Sequence, residues 1–167
     1  MASISFKQQA VKTLGELPAI GQQAPDFKLV DGDLTELSLS DLKGKRIIFN
    51  IFPSVDTPVC AAQLKTFSQK ASGLNNTILL FSSLDLPFAF KRFCSVEGID
   101  NTLTASDYRY HSLADGYGVT MVGGPLSGLY ARAVLVLDEN HTIIYSELVQ
   151  EVTNEPNYEA ALEILNV

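Results

Sequence analysis

The run RIIFNIF at positions 46–52 is apolar at nearly every residue. A strand with one solvated face alternates apolar and polar residues; one apolar on both sides must be covered on both. Two further runs share this character, NTILLFSS at 76–83 and ARAVLVL at 131–137. Between the first two, Leu64, Phe67, Ala71 and Leu74 recur at spacings of three and four, one face of a helix. Segments 87–95, 110–117 and 157–165 carry further helical patterns. Short strands are expected at 27–30 and 35–39, and a hairpin at 3–13. The turn DENH joins 131–137 to a strand at 142–147. This order predicts an α/β fold, a central mixed β-sheet flanked by helices with an N-terminal β-hairpin. No repeat or low-complexity tract interrupts it, so the expectation is a single domain over 1–167.

With 46% hydrophobic and 19% charged residues the chain has the composition of a folded domain rather than a disordered one. Its formal net charge of −7 disfavours nucleic acid and anionic membrane surfaces as partners. The apolar runs are too short to span a bilayer. The start MASISFKQQAVKTLGELP lacks the basic and continuously apolar regions of a signal peptide, so the expected compartment is the cytoplasm, where thiols stay reduced. The two cysteines and two histidines, His111 and His141, have no zinc-like spacing, and both histidines are expected at the surface. VGGPLSGL is glycine-rich but lacks the lysine and following helix of a phosphate cradle. No metal or cofactor is expected.

One cysteine lies just past the first central strand, in PSVDTPVC. Thr57 is a good N-cap and Pro58 suits the first helical position, which makes Cys60 the third helical residue. Capping-box geometry would bring the Thr57 hydroxyl towards the Cys60 sulfur. Backbone N–H groups at the positive end of the helix favour a thiolate there. A free cysteine is already about 3% thiolate at neutral pH, so full ionisation gains roughly 30-fold at most. Efficient chemistry therefore also needs donors that stabilise a transition state. Thr57, backbone N–H groups and Arg132 are the candidates. Arg132 sits in the apolar context YARAVLVL, where a guanidinium is costly unless paired.

Each residue also has a structural reading. Cys60 fits as a small buried hydrophobe, Thr57 as a cap, Arg132 as half of an ion pair, and Pro53 as a strand terminator. Cys94, in KRFCSVEG, fits equally as a helix-packing residue.

PSVDTPVC resembles the peroxiredoxin pattern of proline, threonine and cysteine. NIFPSVDTPVC, SLDLPFAFKRFC, GPLSGLYARAV and EVTNEPNYEAALEIL are similar to the bacterial thiol peroxidase subfamily, the atypical two-cysteine peroxiredoxins. The likeness runs over nearly the whole chain. It implies a thioredoxin-like fold and a peroxidase that reduces hydrogen peroxide and organic hydroperoxides in antioxidant defence. It further implies Cys60 as the peroxidatic cysteine, Cys94 as the resolving one, and Thr57 and Arg132 as the activating pair, with Pro53 shielding the pocket. An intramolecular Cys60–Cys94 disulfide, thioredoxin as reductant and a homodimer are implied likewise. Phe90 departs from the pattern, which leads one to expect a polar residue there. Two other readings of such a fold are a thiol-disulfide oxidoreductase, which lacks its Cys-x-x-Cys here, and a non-catalytic binding protein.

Overall fold

A computed structural model describes residues 1–165; the last two residues of the expected domain lie outside the described residues. The described strands form two sheets. The larger has seven strands in the order β10-β9-β5-β6-β7-β3-β4. These are β3 (Lys28–Asp31), β4 (Glu36–Ser38), β5 (Arg46–Ile51), β6 (Thr77–Ser83), β7 (Leu103–Ser106), β9 (Ala133–Leu137) and β10 (Ile143–Leu148). β5, β6 and β7 are parallel, and β9 runs antiparallel to β5, so the sheet is mixed as expected.

β5 lies at the centre and is covered on both faces. Ile47, Phe49 and Ile51 enter one cluster with Leu113 and Tyr117 of α3 (Ser112–Tyr117). Ile48 and Phe52 enter the other, against α1 (Pro58–Lys70), α2 (Pro87–Glu97) and α4 (Tyr158–Glu163). The period of two along a strand puts successive residues on opposite faces, which is why nearly every position of RIIFNIF had to be apolar. The exceptions are Arg46, half-buried at the start of the strand, and Asn50, buried on the α1 side.

The smaller sheet joins the expected hairpin, β1 (Ser3–Phe6) and β2 (Gln9–Thr13), to β8 (Met121–Val122). The two turn residues Lys7 and Gln8 have positive φ, 49° and 68°. Such values suit a two-residue hairpin turn but are disfavoured for non-glycine residues. Glu151 compensates. Its carboxylate accepts from the Lys7 N–H (3.2 Å), the Gln8 N–H (2.8 Å) and the Ser5 hydroxyl (3.0 Å).

Three local expectations are corrected. The helix expected from 110 starts at Ser112, because His111 adopts a left-handed conformation at its N-cap. β7 was not expected; LTAS is short and half polar, and becomes a strand by parallel pairing with β6. His141 is buried rather than on the surface, with ring Nε2 3.0 Å from the Leu42 carbonyl oxygen.

Candidate active site

α1 begins where the sequence places it, with Pro58 first and Thr57 as an extended N-cap. Cys60 is its third residue and has no exposed surface. The capping box does not form. The Thr57 hydroxyl donates instead to the Ser54 carbonyl at 2.9 Å, and its side chain makes no capping bond. The turn before the helix supplies this nearer acceptor, so local spacing alone misjudges the direction of the hydroxyl.

Arg132 lies one residue before β9, not inside the strand, and is 2% exposed. Its Nη1 approaches Cys60 Sγ at 3.2 Å and donates to Gln63 Oε1 at 3.0 Å. Nε and Nη2 donate to the Val152 carbonyl oxygen at 3.0 and 2.7 Å. These partners are a thiol, an amide and a carbonyl; the ion pair with a carboxylate does not occur among the described contacts. A buried guanidinium surrounded by neutral acceptors keeps its positive potential directed at the sulfur. Gln63 is itself oriented, since its Nε2 donates to Asn50 Oδ1 at 2.8 Å. The chain of contacts thus runs from the central strand through Gln63 to Arg132 and the thiol.

A pocket of about 370 Å³ adjoins this group. Thr57, Arg132 and Thr153 are among its polar lining residues, and Pro53, Pro58, Val59, Leu126 and Val152 form much of its apolar wall. Phe6 at the end of β1 and Lys7 of the hairpin turn also line it. A second cavity, about 480 Å³, opens between Asp26, Lys43 and His141; neither cysteine lines either cavity, Cys60 lying behind Arg132. Among the described residues no group of three or more His, Cys, Asp or Glu side chains could hold a metal ion. No described helix is long and apolar enough to cross a membrane.

Cys94 lies on α2, half-buried, with Sγ 3.9 Å from Thr102 Oγ1. Burial pushes its thiol above the ordinary cysteine range, and the Thr102 contact opposes this in part. Cys94 packs against the cluster that contains Cys60, yet the two thiols are unbonded and stand on different helices. Phe90, where a polar residue was expected, is buried beside Phe52 with ring centroids 6.1 Å apart.

Several residues escaped sequence reasoning. Val152 acts through its carbonyl, which has no signature in a one-letter code. Gln63 follows Cys60 by three positions, and one helical turn brings the two to the same face, a signal that could have been used. Asp107 is buried and accepts from the Ser112 and Leu113 N–H groups and the Tyr130 hydroxyl, tying α3 to the segment that leads into Arg132. Asp85 accepts from Ser54 and Val55 just ahead of α1.

A thiol at a helix start, a buried guanidinium on its sulfur and a mixed sheet beneath define a thiol-based redox protein of the thioredoxin-like class. Residues 19–162 match the Redoxin family. The thiol peroxidases of Mycobacterium bovis (strain ATCC BAA-935 / AF2122/97) and Mycobacterium tuberculosis (strain ATCC 25618 / H37Rv) are each 49% identical over 165 residues, covering 99% of both chains. A peroxiredoxin-like protein from Aquifex aeolicus superposes with a TM-score of 0.91 at 36% identity, over 98% of this chain and 96% of that one. A thiol peroxidase from Chromobacterium violaceum gives the same TM-score at 21% identity, over 98% and 95%, and supports the fold. The chain belongs to the redoxin family and, within it, to the thiol peroxidases. It is a peroxidase of the peroxiredoxin type.

Proposed function

We propose that this chain, read as one domain over 1–167, reduces hydroperoxides through Cys60 and Cys94. The observation that carries the reading is the 3.2 Å approach of Arg132 Nη1 to Cys60 Sγ beside the pocket. The Cys60 thiolate attacks the terminal peroxide oxygen; the O–O bond breaks, and water or an alcohol leaves with a proton. Cys60 becomes a sulfenic acid. Arg132 stabilises the negative charge of nucleophile and leaving oxygen, Thr57 orients the peroxide, and Pro53 shields the thiol from bulk water. The Cys94 thiol then condenses with the sulfenic acid, forming a disulfide and releasing water. Thioredoxin supplies the two electrons that restore both thiols.

The thiols stand unbonded on separate helices, and a disulfide needs Cα atoms within about 7 Å, so the resolving step in this reading proceeds with local unwinding near one or both cysteines. The apolar pocket wall supports organic hydroperoxides, alkyl or lipid, as substrates alongside hydrogen peroxide. A cytoplasmic homodimer serving antioxidant defence completes the proposal.

Mass spectrometry after one equivalent of hydroperoxide tests it. Wild type should lose two hydrogens within one chain, Cys94→Ser should gain one oxygen at Cys60, and Cys60→Ser should stay unchanged and inactive. Slow, equal oxidation of both thiols would instead indicate a binding protein with inert cysteines.

A further inference from the structure

Asp85 stands between β6 and α2, the helix that carries Cys94. Its side chain does not serve that helix as a cap. Oδ1 accepts from the Ser54 hydroxyl at 2.7 Å, and Oδ2 accepts from the Val55 N–H at 2.7 Å and from the Ser83 hydroxyl. Ser54 in turn holds the start of α1: its carbonyl accepts from the Thr57 N–H (3.1 Å) and hydroxyl (2.9 Å), and its hydroxyl accepts from the Asp56 N–H (3.1 Å). A second tie runs in parallel, from Arg92 Nη2 on α2 to Asp56 Oδ1 at 2.7 Å. One connects the turn in front of Cys60 to the loop that leads into α2, the other to α2 itself. The turn in front of Cys60 cannot part from the start of α2 without breaking both ties.

We propose that Asp85 is a positioning residue that locks the two cysteine segments together and thereby sets how the Cys60 sulfenic acid is partitioned. The inference rests on the roles given to Cys60 and Cys94 above. Two reactions compete for the sulfenic acid. Condensation with the Cys94 thiol forms the S–S bond, releases water and requires the segments to move. Attack on a second hydroperoxide breaks another O–O bond, oxidises Cys60 to a sulfinic acid, releases water or an alcohol, and needs no movement. A closed lock favours the second. The carboxylate makes charge-assisted hydrogen bonds, stronger than those of a neutral amide, while the Asp56–Arg92 pair is solvent-exposed and correspondingly weaker.

The measurement is the ratio of sulfinic acid to disulfide after one turnover, followed against hydroperoxide concentration by mass spectrometry. Its slope is independent of the rate of the first oxidation, so a general loss of activity does not move it. Asp85→Asn should lower the slope by about tenfold, the order expected for one charge-assisted hydrogen bond. Ser54→Ala, which removes the Oδ1 contact and the Asp56 N–H bond but leaves the Val55 and Ser83 bonds to Asp85, should lower it less, and it remains informative should Asp85→Asn fold poorly. A normal wild-type disulfide with an unchanged or raised slope in Ser54→Ala, or in a folded Asp85→Asn, overturns the lock alone. Absence of any Cys60–Cys94 disulfide in wild type refutes the role of Cys94, and the lock with it.

Discussion

The carbonyl oxygen of Val152 accepts from both Nε and Nη2 of Arg132, at 3.0 and 2.7 Å, while Nη1 turns to Cys60. One backbone atom therefore sets the plane of the guanidinium, and that plane aims the third nitrogen at the sulfur. A lysine would carry the same charge without the fork. Arg132→Lys should lower kcat/KM for hydroperoxide on the order of 10²-fold, the usual loss for a removed donor at a developing charge. Stopped-flow oxidation of the reduced enzyme measures it. Unchanged reactivity would mean that charge alone matters at this position.

Phe90 anchors the start of α2 in the Cys60 cluster. Phe90→Ala should destabilise the fold by roughly 3–5 kcal/mol, lowering Tm by about 6–20 °C in a chain of this size. Because the same ring must leave its site if α2 unwinds, hydrogen exchange in that helix should accelerate more than exchange in β5. Uniform acceleration of both would separate Phe90 from local opening.

The half-buried Cys94 thiol binds its proton more tightly than a free cysteine. In Cys60→Ser, alkylation of Cys94 should show a pH midpoint above that of a model thiol, and unfolding in urea should return it to the ordinary value. In linkage terms the folded state disfavours the Cys94 thiolate. This group therefore lowers stability as pH rises past the ordinary cysteine range and has no effect below it. A folded-state midpoint at or below the model value would contradict the observed burial.

Glu151 holds the hairpin turn and its own Thr153 by several hydrogen bonds to its charged form. Backbone N–H donation from Thr153 and Gln8 pulls its carboxyl down to about 2. A depressed folded value means stability that is fully present above the ordinary carboxylate range and lost as pH falls towards 2. Wild type should exceed Glu151→Gln in urea stability at pH 7, and the gap should close on acidification between about pH 4.5 and 2. A gap constant over that range would show that the charge of Glu151 is not what holds the hairpin. Loosening the turn should also raise KM for bulky hydroperoxides more than for hydrogen peroxide, because Phe6 and Lys7 line the pocket.

Legibility followed distance along the chain. The central strands were readable because burial on both faces forces an unbroken apolar run, and α1 because a cap, a proline and a periodic stripe lie within a few residues. β7 was not, since four half-polar residues become a strand only when β6 provides a partner. His141 looked like a surface residue because no local pattern records that its ring meets Leu42. The buried position of Phe90 was equally silent.

Residue order alone determined the central strands, the main helices and that Cys60 opens a helix, because hydrophobic period and capping act over one or two turns. Tertiary structure decided what the thiol faces. Arg132 is 72 residues from Cys60 in sequence and Val152 a further 20 beyond it. The pairing of β9 with β5 brings the first to the sulfur, and the segment after β10 brings the second. Asp85 and the hairpin turn likewise acquire their roles only where the folded chain puts distant backbone within hydrogen-bonding reach.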